Sequence, residues 1–424
     1  MTPQDQGTSA TTREYAEGLD AADPLARFRE RFVLADDVVY LDGNSLGRLP
    51  VSTAGRLRQA VEEEWGAGLI RSWADWVTVS RDVGDLIGTG ILAARPGEVV
   101  ISDSTTVNLY KLACAALDAR PGRRVIVTDD DNFPTDLYVF QGLAAQRGLE
   151  LRVVHTDLDA GLDPATLAAS LDDEVALVSL SHVAYRSGAL VDMAAVTRLA
   201  HDVGALVLWD LSHAAGSVPV PLAATGADLA VGCTYKYLNG GPGAPAFLYV
   251  RSDLQETLRA PIWGWFGQAD QFGMASEYDP VKGVERFCAG TPPVLATYAV
   301  REGAQLVAEA GIPALHAKAI AMTSYLVDLA DTVLVPLGFT VASPRDPNRR
   351  GAHVTLHHPH AWQICQALVA AGVVPDFRSP DRLRIGPAPL YTRFVDVWEG
   401  IERTRRIVTA DEHLGFPAER SRVT

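Results

Sequence analysis

The sequence predicts an α/β protein in which a large domain, built on a mostly parallel sheet, is followed by a smaller C-terminal α+β domain. Three observations predict it. Short apolar, β-branched runs recur between residues 98 and 251, and stretches with helical spacing separate several of them. Some runs are apolar nearly throughout, as in Ala205-Leu-Val-Leu-Trp209, which is what a strand covered on both faces requires. After about Thr297 the pattern changes to a long helix and then a mixture of strands and helices.

Taken in order, residues up to about Asp37 read as a flexible arm leading into an amphipathic helix over Pro24–Val33. The segment Tyr40-Leu-Asp-Gly-Asn-Ser-Leu-Gly-Arg-Leu-Pro50 carries two glycines, an Asn and a Pro, and reads as a loop. Strands are expected at Glu98–Ser102, Arg124–Thr128, Leu151–His155, Val175–Ser181, Ala205–Asp210, Leu229–Cys233 and Phe247–Arg251. Leu109–Leu117 and Met193–Val203 have helical spacing. The tail gives a helix at Tyr298–Ala310, strands at His353–His357 and Arg382–Ile385, and a final helix at Val395–Val408. The resulting division is an arm and helix at 1–52 contributing to the small domain, a large domain at 53–300 and a small domain at 301–424.

The chain has 424 residues, enough for two or three domains at about 150 residues each, so a small disulfide-stapled scaffold is excluded. With 37 basic and 52 acidic residues the net charge is −15, which opposes binding to nucleic acid or to an anionic membrane surface. No cationic segment followed by an apolar one opens the chain, and no apolar run approaches the roughly 20 residues of a membrane span. A cytoplasmic protein is expected. The four cysteines lie far apart without a CxxC pair, so neither a disulfide framework nor a zinc site is indicated, and no metal is expected. Only Lys111, Lys236, Lys282 and Lys318 could supply an amine nucleophile.

The stretch from Ala205 to Gly243 carries the most chemistry. A strand ending in Asp210 places a carboxylate at the sheet edge, where His213 can turn back toward it, and Lys236 follows a second strand beside Tyr235. A lysine that forms an imine with an aldehyde cofactor, and a carboxylate that keeps the cofactor's pyridine nitrogen protonated, make up the pyridoxal phosphate arrangement. Either residue alone is as well explained by a helix cap or a solvated loop; together, in a chain so poor in lysine, they point to that cofactor. The run Ser102–Lys111 follows a strand and opens a helix, a suitable phosphate site, with Thr106 as hydroxyl donor. In Asn132-Phe-Pro-Thr-Asp136, Phe133 could stack on a flat ring and Asp136 could supply a second carboxylate.

GNSLG (Gly43–Gly47), STTVNLYKL (Ser104–Leu112), NFPTDLY (Asn132–Tyr138), SHVAYRSG (Ser181–Gly188), WDLSHAAG (Trp209–Gly216), YKYLNGGPG (Tyr235–Gly243), GWFGQ (Gly264–Gln268), GTPPVLA (Gly290–Ala296) and LRIGPAPLY (Leu383–Tyr391) follow one another in the order of the kynureninase motifs. The chain resembles that family, in its bacterial form. The resemblance implies a pyridoxal phosphate enzyme of fold type I with a seven-stranded sheet. It makes Lys236 the lysine that holds the cofactor, with Asp210 and Asp136 at its nitrogen, Phe133 stacked on its ring, and Thr105 and Thr106 in the phosphate loop. Ser181 and His213 would border the cofactor, and Tyr235 would reach its phosphate and move protons. Trp265 and Thr291 would complete the site of a neighbouring subunit, implying a homodimer. Arg384 would clamp the substrate carboxylate, a job for a guanidinium fork, with Ser45 and Trp73 also on the substrate; Trp263, Trp265 and Phe266 could line the aryl pocket with Trp73.

The implied reaction is hydrolysis of L-kynurenine to anthranilate and L-alanine in tryptophan degradation or precursor supply. Tyr235 is the candidate base for the attacking water. Gln268 stands where the family often has histidine, and Thr291 where the animal enzymes carry Asn, which favours kynurenine over its 3-hydroxylated form. The alternatives are a cysteine desulfurase-like lyase, for which Cys288 is the tempting thiol, and a non-catalytic cofactor-binding module. His357-His-Pro-His360 reads as a surface turn and the run Glu62–Glu64 as a solvated helix face.

Overall fold

In the computed structural model, which describes residues 10–35 and 37–420, seven strands form one sheet. They are β1 (Val99–Ser102), β2 (Val125–Asp129), β3 (Glu150–Val154), β4 (Val175–Ser181), β5 (Leu206–Asp210), β6 (Leu229–Gly232) and β7 (Ala246–Val250). Their order across the sheet is β1-β7-β6-β5-β4-β2-β3, and of the seven only β7 runs against its neighbours. Each lies within one residue of the run expected. The reason is visible in the burial: Leu206, Leu208, Leu229 and Val231 enter one core and Val207, Trp209 and Ala230 the other, so both faces had to be apolar. The carboxyl ends of β2, β4, β5 and β6 share one edge of the sheet, where open α/β sheets place their ligands.

The C-terminal part has its own core around a four-stranded antiparallel sheet, in the order Asp376–Arg378, Arg382–Ile385, Val354–His357, Thr340–Val341. Two of these strands are only two and three residues long, too short to show a period in the sequence. The long helix begins at Val294 and the final one spans Phe394–Thr409. Between them the helix Ile312–Leu329 went unread, because its apolar residues surround it instead of forming a stripe. With its continuing turns to Leu337 it is long and apolar enough to cross a membrane, contrary to the expectation from the sequence. Leu315, Met322, Leu326 and Leu329 are buried in the protein, and Lys318 on the same helix forms a buried ion pair with Asp23 at 2.7 Å.

The N-terminal segment is not a flexible arm where it is described. Arg13–Ala21 is a helix capped by the Thr12 hydroxyl, and Ala16 lies in the C-terminal core. Asp20 accepts from the backbone N–H groups of Phe394 and Val395 at 2.6 and 3.0 Å, capping a helix that begins 374 residues later, and the Trp398 indole donates to Thr11 O at 2.8 Å. The helix expected at Pro24–Val33 is a 3₁₀ segment, Ala26–Arg31. The first nine residues of the arm lie outside the described residues.

Glu64 is not solvated either: it accepts from Trp76 Nε1 at 2.9 Å and Tyr298 OH at 2.8 Å and pairs with Arg56 at 2.6 Å. That network ties the segment before Trp73 to the helix Val294–Ala310.

The loop containing Gly43–Gly47 docks against the segment that carries Lys236. Gly47 N–H donates to Tyr235 O at 2.7 Å, and a methyl group at Gly47 would sit 2.3 Å from Lys236 O. Gly47→Ala is therefore expected to destabilise the protein by about 1–3 kcal/mol. Gly55, on the exposed side of the helix Val51–Gln59, has nothing within 4 Å, so Gly55→Ala should gain about 0.5–1 kcal/mol. Thermal denaturation of the two variants should move in opposite directions.

Candidate active site

Asp210 ends β5 and Ser181 ends β4, and the two are partners in the parallel register. Asp210 Oδ1 accepts from Ser212 N–H at 2.7 Å. Asp136 lies in the first turn of the helix Pro134–Arg147; it is fully buried and its Oδ2 has no hydrogen-bond partner among the described residues. Burial first, and the charge of Asp210 second, hold its carboxyl well above the usual range. Among the described residues neither carboxyl group forms an ion pair, and Lys236 is the cation whose charge reaches Asp136.

Asn132, which the sequence reading did not single out, organises this corner. Its Oδ1 accepts from Ser181 Oγ at 2.9 Å and from Phe133 N–H at 2.8 Å, while its Nδ2 donates to Thr128 Oγ1 at 3.1 Å. Its polar character between a strand end and Phe-Pro was the available signal. Phe133 is thereby held edge-on to Tyr185, ring centroids 5.3 Å apart, with Lys236 Nζ 5.8 Å from its ring centre.

The four lysines differ in what surrounds them. Lys111 is fully buried and donates to Ser102 Oγ, Asp103 Oδ2 and Phe287 O at 2.7–2.9 Å, which uses all three of its protons. Lys318 is paired with Asp23, and Lys282 is exposed. Among the described residues the one hydrogen-bonding neighbour of Lys236 Nζ is the His213 ring, at 3.2–3.3 Å. Burial lowers its amine from the ordinary value, and burial together with the Lys236 charge lowers His213 well below its own, leaving a neutral imidazole. A desolvated amine without a carboxylate partner is an activated nucleophile.

At the other end of the site stands Arg384, also fully buried. Its Nε donates to Asp376 Oδ1 at 2.8 Å and its Nη2 to Asp376 Oδ2 and to Ser45 Oγ, the latter at 2.9 Å. Its Nη1 donates to Tyr185 O at 2.6 Å and lies 3.5 Å from His213 Nε2. Asp376 thus takes the side edge of the guanidinium and leaves the end edge facing neutral acceptors around Lys236. Asp376 was not read from the sequence, since a three-residue strand gave no sign of which arginine it would meet.

The phosphate-loop candidates follow β1 directly. Asp103 has a left-handed backbone (φ 43°), and Ser104, not Thr106, is the cap of the helix Thr105–Asp118, accepting from Val107 N–H at 3.4 Å. Thr105 is half-buried and Thr106 exposed, so both hydroxyls remain at the helix N-terminus. Taken together, the carboxyl pair, the Phe133 ring, Lys236 and this N-terminus could hold a flat, protonated heterocycle bearing a phosphate.

Trp73 and Trp265 belong to an aromatic cluster, and Thr291 lines a small cavity together with Ser102 and Asp103. Trp73 packs against Trp265, Phe266 and Phe272, with centroids 6.0–6.5 Å apart. Thr291 and the following residues to Ala296 line an apolar cavity of about 480 Å³ with Trp65, Trp73 and Trp76. Trp263, expected in the same pocket, instead stacks on Tyr278 at 5.0 Å. Tyr235 is half-buried, and the neighbouring Cys233 and burial keep its phenol protonated. His358 is not on a surface turn: it is buried against Phe339, and His357 pairs with Asp381 at 3.1 Å. Among the described residues no group of three or more His, Cys, Asp or Glu is arranged to hold a metal ion.

The kynureninase C-terminal domain family matches residues 315–403. A kynureninase of Pseudomonas fluorescens is 43% identical over 92% of this chain and 94% of its own length. One of Burkholderia pseudomallei (strain K96243) is 45% identical over 94% of this chain and 96% of its own. The chain belongs to the kynureninase family. Among solved structures, the cysteine desulfurase of Thermococcus onnurineus NA1 superposes with a TM-score of 0.79 at 18% identity, covering 91% of this chain and 98% of that one. The desulfurase CsdA of Escherichia coli gives 0.76 at 19%, covering 92% and 98%. At that identity the likeness shows the fold alone, fold type I of the pyridoxal phosphate enzymes.

The thiols separate this kynureninase-family chain from a desulfurase reading. All four cysteines are buried, and burial pushes the Cys288 thiol up to about 12, leaving it protonated and shielded. The native protein should accordingly react slowly with a thiol reagent such as 5,5′-dithiobis(2-nitrobenzoate) at pH 8, with all four thiols released by denaturant. Cys288→Ser should keep its turnover.

Proposed function

We propose that this chain hydrolyses L-kynurenine to anthranilate and L-alanine, with Lys236, Asp210 and Arg384 at the centre of the reaction and pyridoxal phosphate as cofactor. Family membership over nearly the whole chain carries the reaction and the cofactor. The residue roles rest on one observation above the others: Lys236 is half-buried, has no carboxylate within ion-pairing distance among the described residues, and lies between Phe133 and the His213–Arg384 end of the site.

The residues present fit the cofactor. The unpartnered Asp136 Oδ2 and the Asp210 carboxylate suit a protonated ring nitrogen, Phe133 offers a face for the ring, and the N–H groups and hydroxyls at Thr105 and Thr106 suit a phosphate. When bound, pyridoxal phosphate supplies an electron sink for the charge left behind as a proton leaves the substrate's α-carbon. Lys236, whose affinity for protons burial lowers, is the base placed to take that proton. Asp210 and Asp136 hold a proton at the ring nitrogen. Arg384, fixed along its side edge by Asp376, turns its end edge to the α-carboxylate, which exchanges with the neutral acceptors Ser45 Oγ and His213 Nε2. Tyr235 takes part as its protonated phenol, giving a proton instead of taking one from the attacking water.

The aromatic group around Trp73 and Trp265, with Thr291, belongs in this reading to the neighbouring subunit's aryl pocket. Exposed apolar side chains surround it: Ile70 is 74% exposed, Met274 73% and Phe272 59%. A patch of that kind is what a second copy of the chain would cover.

Anthranilate fluorescence should report turnover of L-kynurenine with a kcat/KM about 10–200-fold above that for 3-hydroxykynurenine, the discrimination that about 1–3 kcal/mol in an apolar pocket gives. Equal values would remove the bacterial-type reading of Thr291. Lys236→Ala should lose both turnover and the cofactor's visible absorbance band, and retention of both would remove Lys236 from its role. Mixing inactive Lys236→Ala with an impaired Trp265→Ala variant, after exchange of subunits, should restore about a quarter of the sites. No recovery in a proven mixed dimer would place Trp265 in its own subunit's site.

A further inference from the structure

The carboxylate end of the site contains two guanidinium groups. Arg384 has all its nitrogens engaged, and its pairing with Asp376 makes a unit of no net charge, which attracts an incoming carboxylate weakly. Arg378 lies two residues beyond Asp376 on the same short strand, so both side chains project from one face. Its Nη2 is 2.7 Å from Asp376 Oδ2 and 3.4 Å from Ser45 Oγ, the hydroxyl that Arg384 also reaches. Its side chain is 28% exposed, whereas those of Asp376 and Arg384 are 2% and 1%. One carboxylate between two guanidinium groups leaves the trio with a net charge of +1. Asp42, the other carboxyl nearby, is pushed up to about 7 by burial and by Asp376, so near neutral pH it offsets that charge only in part.

We propose that Arg378 is a positioning residue for the substrate's α-carboxylate: it neutralises Asp376, so that Asp376 can orient Arg384 without cancelling the charge Arg384 presents to the substrate. The proposal rests on the reading of Arg384 as the carboxylate clamp of an amino-acid enzyme. Arg378 itself need not touch the substrate. What matters is a cation beside Asp376 Oδ2, so lysine should serve in its place and a neutral side chain should not.

The test is binding of L-alanine and of ethylamine to the holoenzyme, followed by the change in the cofactor's visible spectrum. The two ligands differ by the carboxylate. Arg378→Met should weaken L-alanine at least tenfold and raise the KM for kynurenine similarly, with kcat within about twofold, while ethylamine binds as it does to the wild type. Arg378→Lys should recover most of the loss. Arg378→Gln gives the same comparison if the Met variant does not fold. Unchanged alanine binding in a folded neutral variant overturns the proposal, as does an equal loss for alanine and ethylamine, which would mark a merely structural role. Failure of the wild type to turn over kynurenine would remove the kynurenine reading, and the alanine and ethylamine comparison would still decide for or against Arg378.

Discussion

The buried pairing of Arg384 with Asp376 is the interaction on which the architecture of the site depends. Removing two charges from water costs several kcal/mol each, and their attraction offsets that only when the geometry is good and the remaining protons find acceptors. Here the acceptors come from distant parts of the chain: Ser45 from the N-terminal loop and Tyr185 from the segment after β4. The guanidinium is thus satisfied only when the N-terminal loop, the large sheet and the small sheet are all in place. Breaking such a pair leaves an uncompensated buried charge, at a cost of about 3–5 kcal/mol. The close glycine contacts follow from the same demand. A methyl group at Gly386 would fall 1.7 Å from Asn44 Oδ1, so the loop can reach Arg384 only where side chains are missing.

The treatment of charge elsewhere in the molecule makes the site stand out. Lys111 and Lys318 are buried with carboxylate partners, Asp228 accepts from Val207 N–H and pairs with Arg251, and Asp20 caps a helix. Each of these groups has an ionic or backbone partner. Asp136, whose Oδ2 has none, and Lys236, with a neutral imidazole beside it, differ from them and lie at the same corner of the sheet, where Asp129 Oδ1 and Asp131 Oδ2 at the end of β2 are likewise unpartnered among the described residues. Natural proteins leave buried polar groups incomplete chiefly where a ligand completes them.

What the sequence disclosed follows from the range of the forces involved. Most strands of the large sheet were legible because burial on both faces writes a continuous apolar run into them, the edge strand Glu150–Val154 being the exception, and Asp210 and Lys236 were legible because polar residues end those runs. The helix Arg13–Ala21 was not, since its main ties are to Phe394, Val395 and Trp398, more than 370 residues away. Asp376, Arg378 and Glu64 were missed for another reason, since several of their partners lie within a dozen residues. A charged residue in a short strand or on a helix face looks the same in sequence whether it meets water or a buried partner. Trp263 illustrates the converse: an aromatic residue type alone made it a candidate for an aryl pocket, while its ring stacks on Tyr278.

The likeness to desulfurases shows how little of the reaction the fold dictates. The sheet brings a lysine and an aspartate to adjacent strand ends, an arrangement that suits a pyridoxal phosphate cofactor. Which bond then breaks depends on groups outside the sheet. A desulfurase needs a thiolate free to move to the substrate, and the thiol nearest in sequence to the GTPP segment is here buried and held protonated. Hydrolysis of an aryl ketone needs instead a large apolar surface for the ring and proton donors at the carbonyl. Tryptophan and phenylalanine side chains are concentrated beside Thr291, on an exposed face of the chain, and it is on this face that the proposed function sets the aryl pocket. The Arg384 end, in contrast, is assembled within a single chain, from the N-terminal loop, the segment after β4 and the small sheet, so the charged half of the proposed substrate site needs no second copy to form.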